Sequence, residues 1–246
     1  MLKFLFNPRY PKILLLLFLL FAAAWAFNPV DRKDWALENA LTLFFVVFLI
    51  VTYRRMPFSN ISYTLIFLFM CLHTIGAHYT YSKVPYNDWS AAVFGRSIND
   101  MLGVSRNYYD RLVHFSFGFL LAYPIRELFM RVAGARGFWG YYLPLDLTMS
   151  FSMLYELIEW AAAVGFGGDL GVAYVGAQGD IWDAQKDMAL ATLGAAISML
   201  VVAFINWKFD KNFGAELRDS LTAKDVGPLG EAKLREMLAA SQSGSR

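Results

Sequence analysis

The amino-acid sequence predicts an all-α fold: a polytopic transmembrane helix bundle of about six spans. Three observations point there. Hydrophobic residues make up 57% of the 246-residue chain against 17% charged, well beyond what the core of a soluble domain requires. The apolar residues come in long runs such as Ile13-Leu14-Leu15-Leu16-Leu17-Phe18-Leu19-Leu20, which continues to Phe27. Crossing a hydrocarbon core of roughly 30 Å takes about 20 such residues at about 1.5 Å each. Basic residues gather in the short links between the runs, as orientation by the positive-inside rule requires.

Span one covers about residues 11 to 27 and stops at Asn28-Pro29, a turn signal. Its basic flank (Lys3, Arg9, Lys12) and its small-residue end, Ala22-Ala23-Ala24-Trp25-Ala26, imitate a signal peptide. The run exceeds a usual signal h-region and more spans follow, so a retained helix is expected. After the polar link Asp31-Arg32-Lys33-Asp34, span two runs from about Trp35 to Tyr53 and is closed by Arg54-Arg55 and Pro57. Span three, about Ile61 to Tyr81, contains His73 and His78. A polar stretch from Ser82 to Asn107 carries Tyr86, Trp89 and Phe94 and is expected to lie at the membrane interface. Span four runs from about Tyr108 to Phe129, and span five from about Phe138 to Val164, its first half interrupted by Pro144 and Asp146. A loop with Gly165, Gly167, Gly168, Gly171, Gly176 and Gly179 lacks phosphate-binding spacing and reads as a flexible link. Span six runs from about Ile181 to Trp207.

Residues 1–209 thus form the six-span domain, and residues 210–246 a soluble cytoplasmic tail expected to be mobile. Within that tail, Glu231 to Ala240 has the pattern of a short amphipathic helix. One set of links holds Lys3, Arg9 and Lys12, then Arg54 and Arg55, then Arg126, Arg131 and Arg136, then Lys208 and Lys211. The other holds only Arg32, Lys33, Lys83, Arg96 and Arg106. The richer set is assigned to the cytoplasm, which places both termini there and requires an even number of spans.

Composition also excludes. A net charge of +2 makes no electrostatic case for nucleic acid. The single Cys71 rules out an internal disulfide and any multi-cysteine metal centre. No internal repeat is visible, which weighs against an inverted-repeat carrier.

Sorting the ionisable residues by depth brings them together. His73 and His78 lie towards the outer end of span three, Asp110 and His114 in the first turns of span four, Glu156 and Glu159 in the outer half of span five, and Asp180, Asp183 and Asp187 at the start of span six. A charge in hydrocarbon costs at least about 2.5 kcal/mol, so such residues face a bundle interior or a water-filled cavity. The pairs 110/114, 156/159 and 183/187 are three or four residues apart, so each pair shares a helix face. His73 and His78 are five apart, about 140° around the helix, and do not aim at one centre; His78, nearer the surface, is the preferred member.

The resulting site has His78, Asp110, His114 and Asp183 as metal ligands and Glu156, Glu159 and Asp187 as catalytic carboxylates. Imidazole with carboxylate suits Zn, Mn or Fe, and carboxylates alone suit Mg or Ca, so a divalent metal such as Zn, Mn or Mg is expected. The plainer alternatives are helix-capping by Asp180 and Asp183, and an ion-pair network in which Arg111 and Lys186 neutralise the acids. No HExxH motif and no Ser-His-Asp spacing is present.

Four ordered blocks, HTIGAHYTYSKVPYNDW (73–89), YDRLVHFSFGFLLAYPIRE (109–127), YELIEW (155–160) and GAQGDIWDAQKDMALATLGA (176–195), resemble those of the YjdF-type bacterial inner-membrane proteins. The resemblance spans roughly residues 10 to 207 and implies a multispan protein of the bacterial inner membrane rather than a particular activity. A more distant likeness is to the VanZ-like proteins, through Asp110 with His114 and Asp187 with Gly194; Ala191 stands where that pattern has Asn.

Three functions fit the residues. One is a metal-assisted hydrolase or transferase acting on a lipid or envelope precursor from the outer face. The second is a non-catalytic lipid- or drug-binding membrane protein. The third is a proton-coupled carrier, for which Asp146, Ser150 and Ser152 are the only hints of a path towards the cytoplasm.

Overall fold

The computed structural model describes residues 9–166, 178–223 and 229–243. Among these residues every regular element is a helix: α1 (Tyr10–Trp25), α2 (Arg32–Thr52), α3 (Asn60–His78), α4 (Tyr86–Phe94), α5 (Ile98–Leu102), α6 (Tyr109–Val132), α7 (Trp139–Phe166), α8 (Asp183–Phe209), α9 (Phe213–Ser220) and α10 (Leu229–Ser243). The protein is an all-α membrane helix bundle. By length and composition, α2, α3, α6 and α8 are long and apolar enough to cross a membrane. Helix α1 is apolar but only 16 residues long. Helix α7 is 28 residues long and carries Asp146, Glu156 and Glu159. These six helices coincide with the six expected segments. Most of the glycine-rich link (Gly167, Gly168, Gly171 and Gly176), Lys3, and Gly227-Pro228 of the tail lie outside the described residues.

Local chemistry sets the helix starts. Asp31 accepts the backbone N–H groups of Lys33 (2.8 Å) and Asp34 (3.1 Å), capping α2. Those two amide donors, Asp34 first, hold the Asp31 carboxyl below the usual carboxylate range. Ser59 caps α3 by accepting from Ser62 N, and Glu127 of α6 accepts from Ser59 N (2.8 Å) and Ser62 Oγ (2.6 Å). Contrary to the expected interruption, α7 runs unbroken through Pro144. Pro144 is fully buried, and Thr148 Oγ1 donates to its carbonyl at 2.8 Å, so the hydroxyl of Thr148 is satisfied within the helix.

The most closely packed pair is α6 with α8. A Cβ on Gly118 would meet Ala191 O at 1.8 Å, and one on Gly194 would meet Phe115 O at 2.2 Å. The two backbones therefore touch through facing small-residue ridges, Gly118 and Ala122 against Ala191, Gly194 and Ala195. The first cluster of buried apolar side chains, Phe18, Ile66, Met70 and Leu121, joins α1, α3 and α6. Large side chains such as Phe44, Val51, Leu200 and Phe204 are exposed, as lipid-facing residues are.

The stretch from 82 to 107 folds as α4 and α5 over one end of the bundle. Tyr86 Oη donates to Asn99 Oδ1 (2.7 Å), Asn99 Nδ2 donates to Arg106 O (2.8 Å), and Asn107 Nδ2 donates to Val84 O (2.9 Å). Val93, Phe94 and Leu102 remain exposed. At the other end, the segment after α8 docks rather than trailing away: Ser220 Oγ accepts from Phe138 N (2.8 Å), Ser220 O accepts from Trp139 Nε1 (2.9 Å), and Phe213 packs edge-on against Tyr141. Helix α10, which contains the expected amphipathic segment, is exposed along its described length.

Candidate metal and acid–base site

The small ridges of α6 and α8 continue into polar ones. On α6, Asp110, His114, Gly118 and Ala122 follow at four-residue steps; on α8, Asp183, Asp187, Ala191 and Ala195 do the same. Close contact at Gly118 and Gly194 therefore brings Asp187 against Asp110 and His114. One ligand atom from each of these three residues lies within 4.8 Å of the others. His114 Nε2 is 3.5 Å from Asp110 Oδ1 and 3.7 Å from Glu156 Oε1 of α7. Asp187 and His114 are buried, and Glu156 Oε1 and Asp187 Oδ1 have no hydrogen-bond partner.

Asp187 Oδ1 does stand 3.0 Å from Arg111 Nη1. That nitrogen hydrogen-bonds the Asp183 carbonyl at 3.0 Å, so its contact with Asp187 is a charge contact without hydrogen-bond alignment. The remaining cations lie at the edge. Arg106 Nη2 donates to Asp183 Oδ1 at 2.5 Å, and Arg111 Nη2 donates to the same oxygen. Asp180 Oδ2 accepts from Lys186 Nζ (2.6 Å), Arg111 Nη2 (3.1 Å) and Arg106 Nη1 (3.3 Å). The Lys186 hydrogen bond, followed by that of Trp182 N, holds the Asp180 carboxyl below the usual range. Acids still outnumber cations here: Asp110, Glu156, Glu159, Asp180, Asp183 and Asp187 against Arg106, Arg111 and Lys186.

The sequence-predicted residues are only partly gathered. Asp110, His114, Asp187 and Glu156 come together, and Glu159 sits on the same face of α7 as Glu156. Asp183 is buried, but two arginines converge on its Oδ1, which commits that oxygen to ion pairing rather than to a metal. His78 is not brought in. Its Nδ1 is 2.7 Å from Trp25 O, and its ring packs edge-on against Trp25 and Tyr79, so it ties α1 to α3. The deeper His73 is the one held in polar company. Its Nδ1 is 2.6 Å from Tyr81 Oη and its Nε2 is 3.4 Å from Glu38 O.

Glu38 escaped the sequence reading. It is buried on α2 and accepts from Tyr155 Oη (2.8 Å) and Tyr81 Oη (3.4 Å). Asp34, Glu38 and Thr42 are all buried at four-residue intervals, the same spacing signal that marked the other pairs. Tyr155 also meets His114 edge-on, with ring centroids 5.9 Å apart. The Glu38–Tyr81–His73 group thus adjoins the cluster of α6, α7 and α8.

Residues 10–208 match the family described as "Predicted membrane protein (DUF2238)". The chain belongs to the DUF2238 family. It is also 37% identical, over 187 residues, to the inner membrane protein YjdF of Escherichia coli (strain K12), covering 75% of this chain and 84% of that protein. No solved structure matches the chain. The DUF2238 match spans α1 to α8 and so includes every residue of the cluster, while α9 and α10 fall beyond it. The VanZ-like pattern finds no support in these matches.

Proposed function

We propose that Asp110, His114 and Asp187 bind a divalent cation, Zn, Mn or Mg, and that the site hydrolyses or transfers a group on a lipid or envelope precursor. The observation that carries this reading is the convergence of three ligand-bearing residues from two helices within 4.8 Å. An excess of buried carboxylate supports it, since uncompensated negative charge inside a bundle calls for a cation or for protons. Three protein ligands leave coordination positions open for water or substrate, the pattern of catalytic rather than structural sites. Such a cation polarises a phosphoryl or carbonyl oxygen or activates water. Glu156 Oε1, unpartnered and 3.7 Å from His114 Nε2, is placed to take or return a proton, with Glu159 as its neighbour.

The site end of the bundle faces the extracytoplasmic side in this reading, with both termini in the cytoplasm and the protein in a bacterial inner membrane. The basic links support that orientation, and the name of the Escherichia coli relative supports the membrane. A carrier has less support. Asp146 and Ser150 lie on the exposed face of α7 whereas Ser152 is buried, so they line no common path.

A proton-only pocket is the second reading, favoured by the Arg111 charge beside Asp187. Elemental analysis of detergent-purified protein separates the two. Wild type is expected to carry about one divalent metal per chain, with His114→Ala and Asp187→Asn depleted while eluting as folded protein. Equal metal in wild type and His114→Ala, or full activity in cells from metal-free protein, would overturn the metal reading.

A further inference from the structure

Beside Asp110, His114 and Asp187 the cluster has a cationic edge. There Arg106, Arg111 and Lys186 converge on a single atom, Asp180 Oδ2, at 3.3, 3.1 and 2.6 Å. The same two guanidinium groups also share Asp183 Oδ1. Arg106 therefore spans two oxygens of different carboxylates with Nη1 and Nη2, whereas Arg111 reaches both with Nη2 alone and turns Nη1 towards the Asp183 carbonyl and Asp187. A guanidinium fork matches two oxygens of one planar or tetrahedral anion, and one such group suffices for one carboxylate. One fork, a second guanidinium and an ammonium around this oxygen pair are more cation than pinning a turn requires.

The two carboxylates are not equivalent. Asp183 is buried, its side chain 5% exposed, within the first turn of α8. Asp180 precedes the helix, in the turn that follows Gln178 (φ +33°) and Gly179 (φ +83°). Its side chain is 20% exposed, and that of its closest partner, Lys186, is 54% exposed. Asp180 can therefore leave by rotation of an exposed turn, whereas Asp183 cannot. Arg111 links this edge to the pocket floor, since its Nη1 is 3.0 Å from Asp187 Oδ1. Arg106 Nε is buried without a hydrogen-bond partner, one further donor facing no acceptor.

We propose that Arg106, Arg111 and Lys186 form a phosphate-binding rim at the mouth of the Asp110–His114–Asp187 pocket, with Asp180 holding the place of a phosphate ester that displaces it. This inference rests on the proposed function for its setting and narrows the substrate class to phosphate esters, membrane-borne or soluble. The rim orients the phosphate, and the pocket floor lies one arginine away.

Calorimetric titration of full-length protein in detergent tests the rim, with dioctanoyl phosphatidic acid, inorganic phosphate and dioctanoylglycerol as probes. Phosphatidic acid is expected to bind and dioctanoylglycerol not to. Lys186→Gln, at a half-exposed side chain, is expected to weaken phosphate binding about tenfold, the scale of one charge-assisted contact. Asp180→Asn is expected to tighten it, because the resident anion is gone. Inorganic phosphate binding as tightly as phosphatidic acid identifies a soluble ester; a strong preference for phosphatidic acid identifies a lipid; both support the rim. Equal binding of phosphatidic acid and dioctanoylglycerol, or unchanged binding in Lys186→Gln, overturns it. Weaker binding in a folded Asp180→Asn protein also overturns it. Metal content measured on the same samples keeps the two readings apart. Metal-free wild type with Lys186-dependent phosphate binding refutes the metal reading alone, and metal-loaded wild type without phosphate preference refutes the rim alone.

Discussion

Tyr155 of α7 donates a 2.8 Å hydrogen bond to Glu38 of α2, two helices joined by a polar contact across 117 positions of sequence. Glu38 Oε2 also accepts from Tyr81 Oη, at the longer distance of 3.4 Å, so Tyr155 is its closer donor. Tyr155→Phe leaves a buried carboxyl with one weak partner and is expected to cost about 1–3 kcal/mol. In a Glu38→Gln background the same change is expected to cost less. A double-mutant cycle of thermal unfolding in detergent measures the difference; strict additivity would refute the coupling.

Gly118 and Gly194 make the second prediction, which is one of sign. Gly→Ala inside an exposed helix stabilises by about 1 kcal/mol. Here the added methyl on Gly118 would sit 1.8 Å from Ala191 O, and that on Gly194 2.2 Å from Phe115 O. Gly118→Ala and Gly194→Ala must push α6 from α8 and are expected to lower the unfolding midpoint and deplete bound metal together. A rise in midpoint in either variant would contradict the packing.

The third prediction concerns pH. The Asp31 carboxyl is held below its usual value by Asp34 N and Lys33 N. A lowered folded value means that the cap contributes fully above the unfolded pKa of about 3.9 and is lost as pH falls through the lower folded one. Asp31→Ala is expected to cost about 1 kcal/mol at neutral pH. Unfolding midpoints compared between pH 7 and pH 3 should show the gap between wild type and variant closing on acidification. A constant gap would show that the capping charge is not its source.

The fourth prediction tests the orientation. In a Cys71→Ser background, Ser97→Cys lies before α5 at the site end and Ser241→Cys lies in α10. A membrane-impermeant thiol reagent added to intact inner-membrane spheroplasts is expected to label position 97, and to label position 241 only after permeabilisation. The reverse pattern would invert the topology.

Much of the architecture was legible in the sequence because apolar run length is a direct demand of the bilayer. The six long segments and the pairing of Asp110 with His114 needed only residue spacing. Neither His73 nor His78 is among the three converging ligand-bearing residues, and the reason is tertiary. Nearness to the surface favoured His78, but Tyr81 folds back with φ +51°. Its ring lies over Gly76, where a Cβ would be 2.4 Å away, and its hydroxyl reaches His73. No local pattern announces that return. Glu38 is a different lesson, because its spacing with Asp34 and Thr42 was present and was absorbed into the polar end of a span. Arg106 was unreadable by spacing, since it joins Asp180 and Asp183 only after the 82–107 stretch has folded over the bundle.

The backbone contact between α6 and α8 also determines how the pocket can breathe. Two of its walls are locked by main-chain atoms at Gly118 and Gly194, so neither can slide without a collision. The third wall, α7, is held at this level by side chains, through Tyr155 on Glu38 and Glu156 beside His114. Access would therefore come past α7 or the turn bearing Asp180, where the contacts named are between side chains, rather than between α6 and α8.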